Sequence, residues 1–473
     1  MALVCGVDSS TQSTKVELRD VDTGAVVGAA SAPHPPTEPP VSEQDPTSWW
    51  EALTSALGQV ADHLGDVVAI SVAGQQHGMV LVDEAGEVIR PAKLWNDTTS
   101  SPQADALVER LGAEGWARAC GSVPVAAFTV TKLAWVAEHE PELVPRIAKA
   151  MLPHDYLTWR LSGEHVTDRG DASGSGWWDP TGGEYRPDLL ALAVDDAEVA
   201  LPRVLGPSES AGTVVADVGL PSTTVVGPGT GDNMGAALGL GLRAGDAVIS
   251  LGTSGTAFAV SDTPTADPSG FVAGFADATG RYLPLVCTLN ATKVTDAVQR
   301  WLGVGRDELV RLALAAEAGG PVLVPYLDGE RTPNLPDATG VFVGLRTSTD
   351  QADLARAAHL GVVCGLLDGV DALVDAGVTL GGRRFLVGGG ARSAAYRQLL
   401  ADASGAPIVV PHTDETVAAG AAVQAAVVAT GRSFDDVVEA WGLGAGDTVA
   451  PRRDADAATI RASYARAREL ATG

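Results

Sequence analysis

The sequence predicts an α/β protein of two domains, and three observations carry that prediction: the chain length, a strand-turn-strand pattern that occurs twice, and strands alternating with helices. At 473 residues the chain exceeds the ~250–300 residues at which one hydrophobic core stops growing. The apolar run Leu3 to Val7 ends in a polar turn, Asp8-Ser9-Ser10-Thr11-Gln12-Ser13-Thr14-Lys15; Ala247 to Leu251 likewise ends in Gly252-Thr253-Ser254-Gly255-Thr256, and a strand resumes at Ala257 to Val260. The same pattern opening each half points to an internal duplication, two similar folds facing each other. The expected domains are residues 1–243 and 244–473.

Taken in order, strand, polar turn and strand at Leu3 to Leu18 continue through the turn Asp22-Thr23-Gly24 into a third strand at Ala25 to Ala30, an antiparallel meander. The Pro-rich stretch 33–46 reads as a loop, with Pro46 in the first turn of a helix that carries Trp49, Trp50, Leu53 and Leu57. Val67 to Val72 is a buried-type strand. A short hairpin is expected around Asp83 to Gly86, and the region from Trp95 to Pro221 is helical and irregular. In the second half Asp350 is placed to cap a helix running to about Ala376. A strand at Phe385 to Val387, the turn Gly388 to Ser393, a helix to about Ala403, a strand at Ile408 to Val410 and helices near 416–430 and 455–470 follow. This alternation is what gives the α/β class.

Composition excludes several roles. A formal charge of −27 disfavours nucleic acid as a partner, since a polyanion binder needs a basic surface. The four cysteines, Cys5, Cys120, Cys287 and Cys364, lack CxxC spacing, which argues for buried thiols over zinc or disulfides. No apolar stretch reads as a membrane span, and Met1 to Gly6 leads into Asp8 instead of a signal-peptide core, so a cytoplasmic protein is expected.

The candidate chemistry gathers at turns. Asp232 lies in Gly229-Thr230-Gly231-Asp232-Asn233, between an apolar run and a small-residue helix. An Asp there is ordinarily an N-cap. Glycines that let backbone approach a ligand, and the polar turns elsewhere in the chain, favour a catalytic carboxylate instead. Turns rich in Gly, Ser and Thr form concave anion sites suited to phosphate. Neither matched turn is a Walker A loop, and Gly388-Gly389-Gly390 does not complete G-x-G-x-x-G, so a nucleotide held between two lobes is preferred to a Rossmann dehydrogenase. Lys15 is a candidate to neutralise a phosphate oxygen and Asp8 to hold magnesium through water. Gln75, Gln76 and His77 at a strand's end suit a polyhydroxyl ligand, with Trp95-Asn96-Asp97 adding an aromatic plate; no second histidine stands at metal spacing.

These residues also stand in the order of a known family. Asp8-x-x-Thr11-x-x-x-Lys15, Gly74-Gln75-Gln76-His77-Gly78, Trp95-Asn96-Asp97, Leu152-Pro153-His154-Asp155-Tyr156, Gly231-Asp232-Asn233, Ser250-Leu251-Gly252-Thr253-Ser254-Gly255, Gly329-Glu330-Arg331-Thr332-Pro333 and Gly388-Gly389-Gly390-Ala391-Arg392-Ser393 resemble the FGGY carbohydrate kinases along nearly the whole chain. Departures are Ser10, where the family often has Gly, and Leu360, where it usually has glutamate.

The resemblance implies two actin-like ATPase domains of ribonuclease H type flanking a cleft. It implies transfer of the γ-phosphoryl group of ATP, with Mg2+, to the 5-hydroxyl of D-xylulose. Within it Asp232 matches the catalytic base, Asp8 the aspartate near magnesium, and Gln76 and His77 the sugar-contacting pair. Trp95 and Asn233 are further sugar candidates. Thr11, Lys15, Gly252 and Thr253 match the phosphate turns, and Gly389, Gly390 and Ala391 the adenosine turn. Domain closure with a hinge near Gly241 to Gly245 would exclude water. The alternatives are another acceptor (ribulose, gluconate, glycerol) or a non-enzymatic actin-like ATPase. No nucleic acid or membrane partner is expected, and a second copy of the chain is the candidate partner for a homodimer.

Overall fold

The computed structural model describes Met1 to Thr472 apart from residues 196 and 414. The chain divides into two compact units. The first comprises Met1–Leu242, Asp262–Leu283 and Glu415–Gly444, and the second Arg243–Ser261, Pro284–Asp414 and Ala445–Gly473. The first crossing falls between Leu242 and Arg243, and two later segments return to the first unit.

The first unit is built on a sheet in which Leu3–Ser9 is central. Ser13–Asp20 pairs with it antiparallel and Val26–Pro33 continues the meander, while Val67–Gly74 pairs with its other edge in parallel, followed by the short parallel strands Val225–Val226 and Thr230–Gly231. Every residue of Leu3–Ser9 is buried, as a strand covered on both faces must be. One cover is the helix Pro46–Gly58, whose N-cap Asp45 accepts a hydrogen bond from the Thr47 amide at 2.9 Å. Its Trp49, Leu53 and Leu57 join Val16, Leu18, Ile70 and Val72 in one core.

The other cover is formed by Asp232–Gly239 and Thr416–Thr430, two helices of small residues. Glycines let them approach backbone to backbone. A Cβ on Gly6 would lie 2.0 Å from the Ala418 carbonyl, one on Gly239 1.9 Å from the Thr416 carbonyl, and one on Gly420 1.9 Å from the Gly235 carbonyl. Thr416–Thr430 is so completely enclosed that ten consecutive residues, Ala418 to Val427, are buried.

The second unit repeats this order. Ala247–Leu251 is followed antiparallel by Gly255–Ala259 and by residues 285–288, and is flanked in parallel by Arg384–Val387 and then Ile408–Pro411. Gly446–Val449 adds an antiparallel edge. The 25-residue helix Gln351–Asp375 starts at Asp350, which accepts from the Ala352 and Asp353 amides while Asp353 bonds back, a capping box. This helix corrects the expectation that no stretch is long and apolar enough to cross a membrane: it meets that measure, yet 67% of its most apolar window is buried. Its apolarity is that of a core element covered on several sides.

Other boundaries differ from the sequence reading. The third strand runs Val26–Pro33 and not Ala25 to Ala30, and Tyr282–Thr288 and the helices Thr292–Leu302 and Arg306–Ala315 were not foreseen. Pro284 interrupts Tyr282–Thr288 and hides it from a pattern search.

Gly420→Ala should destabilise the protein by at least about 2 kcal/mol, because backbone cannot yield as a side chain tip can. Urea unfolding measures it, and a wild-type midpoint would contradict the packing described.

Candidate active site

Three parallel strands of the first unit end level with one another. Asp8 stands opposite Ala73 and Ser9 opposite Gly74, while Thr230 and Gly231 stand opposite the same two residues from the other side. Asp8, Gln75 to His77 and Asp232 therefore leave the sheet at one edge, the carboxyl ends of parallel strands, where ligands bind in α/β sheets.

Asp232 is the first residue of its helix, with Gly231 as the N-cap, so it is not the capping residue that its place before a helix suggests. Its Oδ1 accepts from the Asn233 amide at 2.8 Å and from Asn233 Nδ2 at 2.9 Å, and the same Nδ2 donates to Gln76 Oε1 at 2.9 Å. Three of the predicted residues thus form one bonded chain. Burial pushes the Asp232 carboxyl up to about 7; the carboxylates of Asp8 and Asp171 add to this and the bonds from Asn233 oppose it.

Asp8 is 5% exposed, and its Oδ1 has no hydrogen-bond partner among the described residues. Burial lifts it too to about 7, with Lys15 pulling down and Glu415 pushing up. Lys15 lies 4.0 Å from Asp8 Oδ2 and donates to Glu415 Oε2 at 2.7 Å. The lysine expected at a phosphate is held by an ion pair with Glu415, a residue sequence reasoning missed because 400 positions separate the two. Among the described residues there is no group of three or more His, Cys, Asp or Glu able to hold a metal. One orphaned carboxylate oxygen at the strand end fits Mg2+, which keeps most of its waters and takes its other ligands from phosphates.

His77 adopts φ 65°, left-handed backbone that costs a non-glycine residue about 1 kcal/mol or more and clusters at functional sites. Its Nδ1 lies 2.8 Å from the Gly174 carbonyl, which requires a proton there and leaves the lone pair of the neutral ring on Nε2. Phe128 stacks on the ring at 5.0 Å and Phe275 lies at 5.4 Å. Neither aromatic was foreseen, since each comes from a distant segment with no motif. Trp95 is 39% exposed and donates from Nε1 to Thr11 Oγ1 at 2.9 Å, while Thr11 Oγ1 donates to Gln75 Oε1 at 3.2 Å. Thr11, assigned to phosphate, is thus bonded to a sugar candidate and to the neighbour of another.

Beneath this edge lies a buried ion cluster. His154 and Asp171 are both fully buried; His154 Nδ1 is 2.7 Å from Asp171 Oδ2, and its Nε2 is 3.2 Å from Asp155 Oδ1 and 3.9 Å from Asp168 Oδ1. Burial opposes the imidazolium, and the three carboxylates overcome it and raise His154 to about 9. Asp168 accepts from Thr230 Oγ1 at 2.9 Å, and a Cβ on Gly229 would meet the His154 ring at 2.3 Å. The cluster is thus the floor on which the turn into Asp232 rests. From above, Gln424 Nε2 donates to the Gly229 carbonyl at 2.9 Å while its Oε1 accepts from Ser71 Oγ at 2.5 Å. His154 and Asp155 belong to a motif noted in the sequence; Asp168, Asp171 and Gln424 carried no signal.

In the second unit, Gly252 and Thr253 follow Ala247–Leu251, and Gly389 to Ala391 follow its parallel neighbour Arg384–Val387. Gly388 has φ 85°, and a Cβ there would strike the Leu251 carbonyl at 2.8 Å, so the two predicted turns pack together. Gly389 faces open space. The Gly252 carbonyl accepts from the Thr292 amide at 3.0 Å and hydroxyl at 2.8 Å. Buried Glu330, from Gly329 to Pro333, accepts from the Leu289 amide at 2.6 Å and Asn290 Nδ2 at 3.0 Å, fixing the segment that leads to Thr292.

A duplicated sheet of this order, with an acidic edge on one unit and glycine turns on the other, defines a carbohydrate kinase of the actin-like ATPase fold. The models for the N- and C-terminal domains of the FGGY family of carbohydrate kinases match residues 3–239 and 247–429, and the chain belongs to that family. It is 50% identical over 449 residues to a xylulose kinase of Streptomyces coelicolor, covering 94% of this chain and 92% of that protein. It is 38% identical to a xylulose kinase of Escherichia coli, over 85% and 84% of the two chains. Its structure is similar to the crystal structure of xylulose kinase from Bifidobacterium adolescentis, with TM-score 0.88, 43% identity and 99% of each chain covered.

Removing the cation from the buried cluster leaves carboxylates unpaired, so His154→Ala should cost about 3–5 kcal/mol. Chemical denaturation at pH 7 checks this, and a loss below 1 kcal/mol would show that the cluster is not ionised as described.

Proposed function

We infer that this chain transfers the γ-phosphoryl group of ATP to the 5-hydroxyl of D-xylulose, with Asp232 as the general base. The observation that carries the reading is the bonded chain Asp232, Asn233 and Gln76 at the ends of three parallel strands. The choice of sugar is supported by the similarity to xylulose kinases over more than nine-tenths of the chain.

Phosphoryl transfer asks little covalent work of a protein; it needs an oriented hydroxyl and donors around charged oxygens. In this reading Gln76, His77, Trp95 and Asn233 hold the ketose by its hydroxyls, and Asp232 accepts the proton of the attacking one. Gly252 and Thr253 meet the phosphates, and Gly389, Gly390 and Ala391 the adenosine. Lys15 turns from Glu415 to a phosphate oxygen when nucleotide is present. Asp8 would hold Mg2+ through water, and the ion supplies charge neutralisation on the phosphate oxygens. A cytoplasmic location is supported by the need for ATP, and a homodimer is the assembly to look for.

Asp232→Asn should lower xylulose phosphorylation by ~10²–10⁴-fold while leaving nucleotide binding intact; near-normal turnover would remove the residue from this role. Alanine at Gln76 or His77 should raise the KM for xylulose far more than that for ATP. ADP release measured across D-xylulose, D-ribulose, gluconate and glycerol should be fastest with xylulose, and a clear preference for another acceptor would overturn the choice of sugar.

A further inference from the structure

The second unit contains a cavity of about 330 Å3 between the loop at residues 316–321, the first half of the helix Gln351–Asp375 and the segment from Arg452 to Tyr464. None of its lining residues belongs to the turns assigned to ATP. Arg356 lines it and is only 8% exposed, yet its Nη1 is buried with no hydrogen-bond partner, and among the described residues no carboxylate forms an ion pair with it. A buried guanidinium nitrogen without an acceptor is costly, and a fold that keeps one leaves it available to a ligand.

Three of the surrounding acids are committed elsewhere. Asp402 takes Arg452 through Nη2 at 2.6 Å, Nε at 2.8 Å and the backbone amide at 2.8 Å, and also accepts from Gln398 Nε2 at 2.9 Å. Asp353 closes the capping box of its helix, and Asp456 accepts from the Thr459 amide and hydroxyl. Asp402 and Asp454 act on Arg356 only through space. The Tyr464 hydroxyl, buried in the same wall, faces Tyr326.

We propose that this cavity binds a small monocarboxylate with an apolar body. A carboxylate supplies the acceptor that Arg356 Nη1 lacks, and its plane matches the guanidinium fork. The walls at Pro321, Val322, Ala357, Leu360 and Ile460 take the body. The charge is set at one, because a single guanidinium is uncommitted while Glu317, Asp353, Asp454 and Asp456 line the same cavity and oppose a dianion.

Isothermal titration of the full chain with benzoate, benzyl alcohol and inorganic phosphate tests this. Benzoate should bind saturably at one site per chain, with benzyl alcohol and phosphate at least tenfold weaker. Arg356→Met should weaken benzoate about 10- to 100-fold, the range for a bond to a charged group. Without ligand, Arg356→Met should melt at or above the wild-type temperature, because it removes a buried donor that has no acceptor. Absence of saturable benzoate binding, tighter binding of phosphate, unchanged benzoate affinity in Arg356→Met, or a lowered melting temperature of that variant alone would each overturn the proposal.

Discussion

The backbone contact between Asp232–Gly239 and Thr416–Thr430 is the constraint from which the site follows. Gly235, Gly239 and Gly420 let two helices touch without side chains between them, and Gly6 lets the second lie directly on the central strand. Only at that separation does Gln424 reach the Gly229 carbonyl and Ser71 together. The turn before Asp232 is consequently held by the same helix whose leading residue, Glu415, holds Lys15 beside Asp8. One buried helix thus sets the positions of a candidate base, a lysine and a metal candidate. Its composition reflects this: a larger residue at its contact points has nowhere to go.

Ion pairing then divides the carboxylates by task, for burial raises Asp155 to about 7 and Asp168 to about 6 much as it raises Asp8 and Asp232 to about 7. Asp155, Asp168 and Asp171 surround a cationic His154 and are enclosed on all sides, which makes them a scaffold. Asp8 and Asp232 lie at the open strand ends with no cation as close as His154 is to its own partners, and burial leaves both near neutrality. A carboxyl poised near 7 is a far better proton acceptor at neutral pH than one at 4, because the driving force for proton transfer rises with its pKa while it remains half ionised. Burial near like charge gives that value without a special residue.

Much of this was legible. The ends of the parallel strands carry Gly-rich polar turns in the sequence, which is why Asp8, Gln76, Asp232, Gly252 and Gly389 were singled out before their placement was known. The twofold strand-turn-strand pattern likewise anticipated a repeated sheet. What stayed hidden depends on contacts over long separations. Gln424 and Glu415 lie on or beside a helix with no polar stripe to mark a face, in a stretch that a single cut would assign to the other domain. Phe128 and Phe275 are ordinary aromatics until the chain brings them to His77. Gln351–Asp375 is legible as a helix capped by Asp350, but its apolar character is underrated in the sequence reading: it is long and apolar enough to cross a membrane, and the elements that cover it make it a core helix.

The central claim is that Asp232 acts as a base from a carboxyl displaced upward by its surroundings, and the pH dependence of kcat/KM for D-xylulose tests it most directly. The base works when deprotonated, so with a folded value of about 7 activity should fall as pH drops through 7, with slope one and at saturating ATP. An acid limb centred near the ordinary carboxylate value of about 4, with full activity retained at pH 5.5, would contradict the account.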